Sequence, residues 1–258
     1  MPSNENTKSQ IKSRQRVADH GEVFTNPREV NAMLDLVRDE SFRLDSRFLE
    51  PACGDGNFLI EILRRKLSLL KDVKSQTEWE FKSLIAVGSC YGIDILPDNA
   101  EACRTRLEEY VLSQHPASER LNARSASNTI QADRRSVVEI QAQRSVVEET
   151  HAHCDQLEVM RQEPYLLSLR YMLKKNIVCG DALTYRTAEN KPITFCEWTP
   201  IAGSMQFSRR DFQFDFLVTQ SHQYSLFDEQ GEAQRFDEPV RTYPPLHYTQ
   251  LYRYEEQL

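Results

Sequence analysis

The chain has no apolar run long enough to span a membrane, and its N-terminus lacks the apolar core of a signal peptide. It also lacks paired cysteines. The six cysteines, Cys53, Cys90, Cys103, Cys154, Cys179 and Cys196, include no C-x-x-C spacing, which excludes a zinc or disulfide framework and fits a reduced cytoplasm. His151-Ala152-His153-Cys154 has a metal-like look, but no second ligand pair accompanies it, so no metal is expected. Basic residues are not in excess. Lys and Arg total 32 against 39 Asp and Glu, a net charge of −7. A chain that grips duplex DNA alone normally presents a basic face, so weak affinity is expected without a partner. Lys8, Lys12, Arg14 and Arg16 are a local exception, within residues 1–18, which read as a flexible tail.

Against these absences stands one informative segment, residues 48–59, reading FLEPACGDGNFL. An apolar run ends in Glu50-Pro51-Ala52, Gly54 and Gly56 follow, and Phe58, Leu59, Ile62, Leu63 and Leu67 recur at helical spacing. That pattern is a strand, a glycine-rich turn and a helix. Glycine lets the backbone approach a ligand and adopt positive φ, while a helix N-terminus offers free N–H groups. The spacing is not the G-x-G-x-x-G of a dinucleotide site. Three further segments accompany it: His20-Gly21-Glu22-Val23-Phe24-Thr25-Asn26-Pro27 upstream, then Tyr91-Gly92-Ile93-Asp94-Ile95 and Asn176-Ile177-Val178-Cys179-Gly180-Asp181-Ala182-Leu183 downstream. The last two read as strands ending in an acid, where open α/β sheets bind ligands.

In this order the four segments resemble the motifs of S-adenosylmethionine (SAM)-dependent N6-adenine DNA methyltransferases of restriction–modification systems. The resemblance covers roughly residues 16–185, with Asn26 inserted between the usual Thr and Pro. It implies an α/β, Rossmann-like class I methyltransferase fold and SAM as cofactor. It implies that Phe24 and Thr25 contact the methionine end, that Gly54 and Gly56 admit close backbone approach, and that Glu50 and Asn57 flank the amino and carboxylate groups. Asp94 then takes the ribose hydroxyls, Ile95 packs on the adenine, and Asp181 accepts from the adenine amine. Pro51, Ala52, Phe58 and Ala182 complete the pocket.

The family's catalytic motif is Asn or Asp, two prolines and an aromatic, after a fourth strand. Adenine's amine is a poor nucleophile because its lone pair is delocalised; the Asn oxygen and a proline-held carbonyl accept its N–H bonds, and the aromatic ring stacks on the flipped base. Here the fourth-strand candidate is residues 214–219, followed by Gln220-Ser221-His222-Gln223-Tyr224. No proline or Asn is present. Gln220 and Tyr224 are the remaining catalytic candidates, Gln220 on a longer stem than Asn and Tyr224 one place late. Tyr243-Pro244-Pro245 has the motif's residues in the wrong order, without a strand before it, and reads as an extended polyproline-type segment. At 258 residues the chain is too short for a full methyltransferase sheet and a target-recognition region. The layout is similar to the short restriction "subunit M" proteins, and an incomplete sheet is expected.

Residues 19–220 are therefore read as the SAM-binding domain and 221–258 as a C-terminal tail. A helix is expected over 99–113, capped by Asp98. Residues 114–163 carry no glycine and read as an exposed helical insertion, with Arg135-Ser136-Val137-Val138-Glu139 repeated as Arg144-Ser145-Val146-Val147-Glu148; a docking arm and a surface elaboration both fit. Pro192-Ile193-Thr194-Phe195 reads as a short strand with Trp198 packed on it. Ser208-Arg209-Arg210-Asp211 reads as a phosphate-binding segment or, better, an exposed loop with internal ion pairs. The tyrosine-rich end, with Tyr243, Tyr248, Tyr252 and Tyr254, suits a partner interface or a fold-back over its own sheet. Three functions follow: a methyltransferase-type subunit reaching DNA through a partner chain in a hetero-oligomer, a non-catalytic SAM sensor or scaffold in a restriction or phage-defence assembly, and a stand-alone enzyme with an atypical motif.

Overall fold

The computed structural model describes residues 25–117, 164–215 and 239–257, and over these the chain is a mixed α/β protein. Three parallel strands position the site: β1 (Phe48–Glu50), β2 (Cys90–Asp94) and β3 (Ile177–Asp181), with β2 in the middle. β2 is buried along its whole length, which suits a central parallel strand covered on both faces. A short β4 (Arg186–Thr187) turns back antiparallel against β3.

Parallel neighbours require long crossovers, and here they are helical. α1 (Pro27–Asp35) and α2 (Arg38–Ser41) precede β1. α3 (Asn57–Ser68) and α4 (Gln76–Gly88) link β1 to β2, and α5 (Pro97–Gln114) and α6 (Pro164–Asn176) lie between β2 and β3. The apolar stripe seen in the sequence puts Leu59, Ile62, Leu63 and Leu67 of α3 in the core. No helix among the described residues is long and apolar enough to cross a membrane.

A second sheet is antiparallel: β5 (Thr194–Pro200), β6 (Gln206–Gln213) and β7 (Arg241–His247). A 3-10 segment, η1 (Tyr248–Gln257), follows and lies on α6. Tyr248, Leu251 and Tyr254 are buried there; the Leu251 N–H donates to Ser168 Oγ and the Tyr254 hydroxyl to the carbonyls of Phe207 and Pro244. These residues of the tyrosine-rich end pack on α6 rather than over a sheet edge.

Several expectations need correction. Trp198 is not packed on a short strand but belongs to β5 itself, with its indole N–H donating to Asn176 Oδ1. Ser208-Arg209-Arg210-Asp211 is not an exposed loop. It lies in β6, where alternation turns Arg209 and Asp211 inward, and Arg209 is only 2% exposed. Tyr243-Pro244-Pro245 is in β7, an edge strand, at the register shift between Phe207 and Arg209 of β6. The two prolines, which have no N–H to give, occupy the break in the ladder. Asp98 does not cap α5. Leu96 is the N-cap and Pro97 opens the helix, because Asp94 accepts the Leu96 N–H at 2.9 Å. Phe214 and Asp215 form a helical turn rather than the start of a strand, and no strand among the described residues pairs with the outer edge of β1. Residues 216–219, the repeat within the 114–163 insertion, the His151-to-Cys154 cluster and the basic N-terminal run lie outside the described residues.

One buried network ties α4, the end of α5 and η1 together. Glu80 accepts from Gln76 Nε2 at 2.8 Å and the Tyr248 hydroxyl at 2.8 Å, and meets His115 Nε2 at 3.1 Å. Burial pushes this carboxyl up, but the bonds from His115, Gln76 and Tyr248 outweigh it and hold it below its ordinary 4.5. A carboxylate depressed in the folded state contributes stability that is present above its unfolded value and lost as pH falls through the folded one. Stability measured by denaturant is therefore expected to fall with acid below about pH 4.5, and less steeply in Glu80→Gln. Equal slopes in the two proteins would show that Glu80 is not the group responsible.

Candidate functional site

The sheet brings three carboxylates to one edge. Glu50, Asp94 and Asp181 are the last residues of β1, β2 and β3, which are adjacent and parallel. They open on a cleft of about 530 Å³. Its floor is the turn between β1 and α3. Gly54 and Gly56 hold φ of 54° and 90°, in the left-handed region where a side chain is strained.

Hydrogen bonds fix this turn from three sides. The Cys53 N–H donates to the Ile93 carbonyl at 2.8 Å, and the Gly54 N–H donates to Asp94 Oδ2 at 2.8 Å. Asp94 Oδ1 also accepts from the Leu96 N–H and, at 3.2 Å, from the Asn99 amide. Asp94 thus brackets the glycine turn to the start of α5. Behind the turn, Arg106 Nη1 donates to the Asp55 carbonyl at 2.7 Å and to Asn57 Oδ1 at 3.1 Å, and pairs with the Asp55 carboxylate at 2.8 Å. Gly56 is the N-cap of α3 and offers no side chain to its first-turn N–H groups, and Asn57 and Phe58 of that turn line the cleft.

The other two carboxylates differ. Burial raises Glu50 above the ordinary carboxyl range, against a bond from the Ala52 N–H. No cation among the described residues pairs with Glu50. Asp181 is half-buried, and its bond from the Leu183 N–H at 2.8 Å, the main cause, keeps it below the usual range.

Most of the expected residues meet here. Thr25, Glu50, Pro51, Ala52, Gly54 and Asn57 line the cleft on one side, and Phe58, Asp94, Ile95, Asp181 and Ala182 complete it. Gly56 does not line it. A Cβ on Gly56 would come within 2.7 Å of Cys103 Sγ, so this glycine serves the contact with α5 as well as the turn. Phe24, Gln220 and Tyr224 lie outside the described residues. The sequence reading missed Cys53, Leu96, Asn99, Gly180 and Leu183. Asn99 had a signal, since it falls in the first turn of a helix that starts at the ligand edge of the sheet.

The lining sets the ligand's chemistry. Among the described residues it contains three carboxylates and no Lys, Arg or His. A phosphate-bearing ligand would meet repulsion with no cation to offset it. A ligand with cationic groups is favoured, with one anionic group able to sit at the open N-terminus of α3. Ile95 and Leu183, 58% and 89% exposed, offer apolar surface to a flat ring at the mouth. A separate groove of about 380 Å³ beside β1 is lined by Phe48, Leu49, Tyr91, Phe195 and Phe212, with Arg47, Glu197 and Arg210 joined in ion pairs across it. There two guanidiniums share the single carboxylate of Glu197, whereas the strand-end cleft gathers three strand-end acids. Comparison with protein-family models, curated proteins and solved structures found no match for the chain.

Proposed function

We propose that the chain is a methyltransferase-type subunit that binds S-adenosylmethionine in the strand-end cleft, on a Rossmann-like sheet, and works on DNA together with a partner chain. One observation carries the reading: three acids and a glycine turn, distant in sequence, line one cleft to which the described residues bring no cation. The cofactor has a sulfonium, an ammonium, a carboxylate, a diol and an adenine. Glu50 receives the ammonium, the α3 N-terminus the carboxylate, and Ile95 and Leu183 the adenine face, with Asp181 accepting from its amine. Asp94 has one oxygen bonded by two donors and the other by one, so Oδ2 retains a lone pair for a ribose hydroxyl.

The partner follows from charge and sequence. A chain of net charge −7 needs help to hold DNA, and it contains no Asn-Pro-Pro-aromatic segment to grip a flipped adenine. Tyr243-Pro244-Pro245 is engaged in β7 and is no part of the cleft lining. These same facts favour a second reading, a SAM-binding sensor or scaffold that transfers nothing. Labelled-methyl transfer from SAM to unmethylated plasmid DNA separates them. Transfer only with a partner added supports the first reading, and none with any partner the second. Failure to bind SAM overturns both.

Glu50 makes binding pH-dependent. Its carboxyl is raised, so the charged form that attracts an ammonium fills at higher pH than usual. Affinity is expected to rise with pH above about 4.5 until Glu50 is fully ionised, and the Glu50→Gln profile is expected to be flat. Parallel profiles in calorimetry would remove Glu50 from the ammonium site.

A further inference from the structure

We infer that the groove beside β1 is a second binding site, and that it takes a small aromatic monocarboxylate. This goes beyond the cofactor reading and does not depend on it, since the groove shares no lining residue with the strand-end cleft.

Strand alternation builds the groove. Leu49 stands opposite Tyr91 in β1 and β2, and Phe195 stands opposite Phe212 in β5 and β6. Both cross-strand pairs line the same space of about 380 Å³, a volume that suits a small ligand. Tyr91 and Phe195 meet edge to face, with ring centres 5.3 Å apart, and join the two sheets there. The Tyr91 hydroxyl donates to the Cys196 carbonyl at 3.0 Å, so its polar tip is engaged and its ring is what the floor offers. Leu49 is 43% exposed, which leaves the floor open on the side of β1. Two residues further along the second ladder, on the same face, Glu197 stands opposite Arg210. The groove is therefore an aromatic floor with a charged rim. The other face of β6 carries Arg209 and Asp211, which are buried and paired with each other.

The rim sets the sign of the ligand. Arg47 Nη1 donates to Glu197 Oε1 at 2.7 Å, and Arg210 Nε donates to Oε2 at 2.8 Å. Two guanidiniums share one carboxylate, and among the described residues neither has another hydrogen-bond partner. Each keeps further N–H donors. Asp45, in the adjoining recess, pairs with Arg43 and leaves the count unchanged. One positive charge is left over. A carboxylate matches it and can accept two parallel bonds from a guanidinium fork. An ammonium in the same place would face two like charges. A ring on the floor finds edges and faces to pack against in the geometries aromatic pairs prefer.

The test is titration of the full chain, by calorimetry and ligand-observed NMR, with three probes of one shape: phenylpropionate, phenylpropionamide and phenylpropylamine. The carboxylate is expected to bind with a Kd of about 1 mM or below, and the amide and the amine at least tenfold more weakly. That preference is expected to vanish when Arg47→Gln and Arg210→Gln are combined. Leu49→Glu, which sets a carboxylate at the mouth, is expected to weaken the carboxylate probe at least tenfold. Denaturant unfolding checks that each variant is folded. Equal or tighter binding of the amide or the amine to the parent chain overturns the inference, since the rim charge would then not be read. Undiminished binding of the carboxylate in the folded variants overturns it as well, because the probe would then sit elsewhere. Binding of none of the three up to about 10 mM removes the groove as a ligand site. Each of these failures leaves the cofactor reading standing, which titration with S-adenosylmethionine tests separately.

Discussion

Asp94→Ala is expected to weaken S-adenosylmethionine binding by at least tenfold, about 1.4 kcal/mol, and to lower the stability of the chain by about 2–4 kcal/mol. Both effects have one origin. The carboxylate accepts three hydrogen bonds, from the Gly54 N–H, the Leu96 N–H and the Asn99 amide. Asp94 is only 8% exposed, so truncation leaves these donors in a space that water reaches poorly. The glycine turn then loses its tie to α5, and the cleft loses its central acid. Binding and stability need separate readouts: calorimetry on the folded variant, and denaturant unfolding without ligand. Lower stability with unchanged affinity would make Asp94 a bracket of the turn and nothing more. Unchanged stability would contradict the hydrogen bonds described for it.

The sheet edge was the most legible part of the sequence, for a physical reason. A strand that ends in an acid and a glycine turn that opens a helix are local patterns, written within about ten residues. β1, β2, β3 and α3 follow the patterns at 48–59, 91–95 and 176–183, and the residues expected in the cofactor pocket converge because parallel strands share a ligand edge. The second sheet was less legible. β5 and β6 pair across the short loop at 201–205, but β7 joins β6 only from beyond residue 240, and that pairing leaves no short-range trace. Ser208-Arg209-Arg210-Asp211 illustrates this: charge made it look like a surface loop, and only the alternation of β6 and the rings around Arg209 turn it inward. Tyr243-Pro244-Pro245 misled in the same way, since prolines argue against a strand unless an edge and a register break are available. The role of Asp94 was half legible. Its place at the end of β2 was clear from sequence, and two of its donors, Leu96 and Asn99, follow it closely in the chain, but the Gly54 N–H comes from a segment that only the fold brings near.

Asp211→Ala is expected to cost more than any other single truncation in the second sheet, about 3–5 kcal/mol. Arg209 and Asp211 form a two-pronged pair, with Nε to Oδ1 and Nη2 to Oδ2 both at 2.7 Å. The guanidinium lies 4.2 Å from the centre of the Tyr243 ring and within 5.7 Å of those of Tyr171, Trp198 and Tyr254. Asp211 Oδ2 also accepts the Tyr243 hydroxyl at 3.2 Å. Removing the carboxylate leaves a full charge among aromatic rings, and cation–π attraction of about 2 kcal/mol offsets only part of its desolvation. Removing both partners is different. Arg209→Met with Asp211→Leu replaces the pair by apolar groups of similar bulk, and such swaps are often close to neutral. The double variant is therefore expected to be more stable than Asp211→Ala alone, with a coupling energy that a double-mutant cycle by denaturant unfolding measures directly. If Asp211→Ala costs less than about 1 kcal/mol, the pair is not buried as described. Neither residue lines the strand-end cleft, so cofactor affinity of the folded variants is expected to match the parent chain. A parallel loss of affinity would mean that the second sheet holds the cleft in shape, and that the two sheets act as one unit.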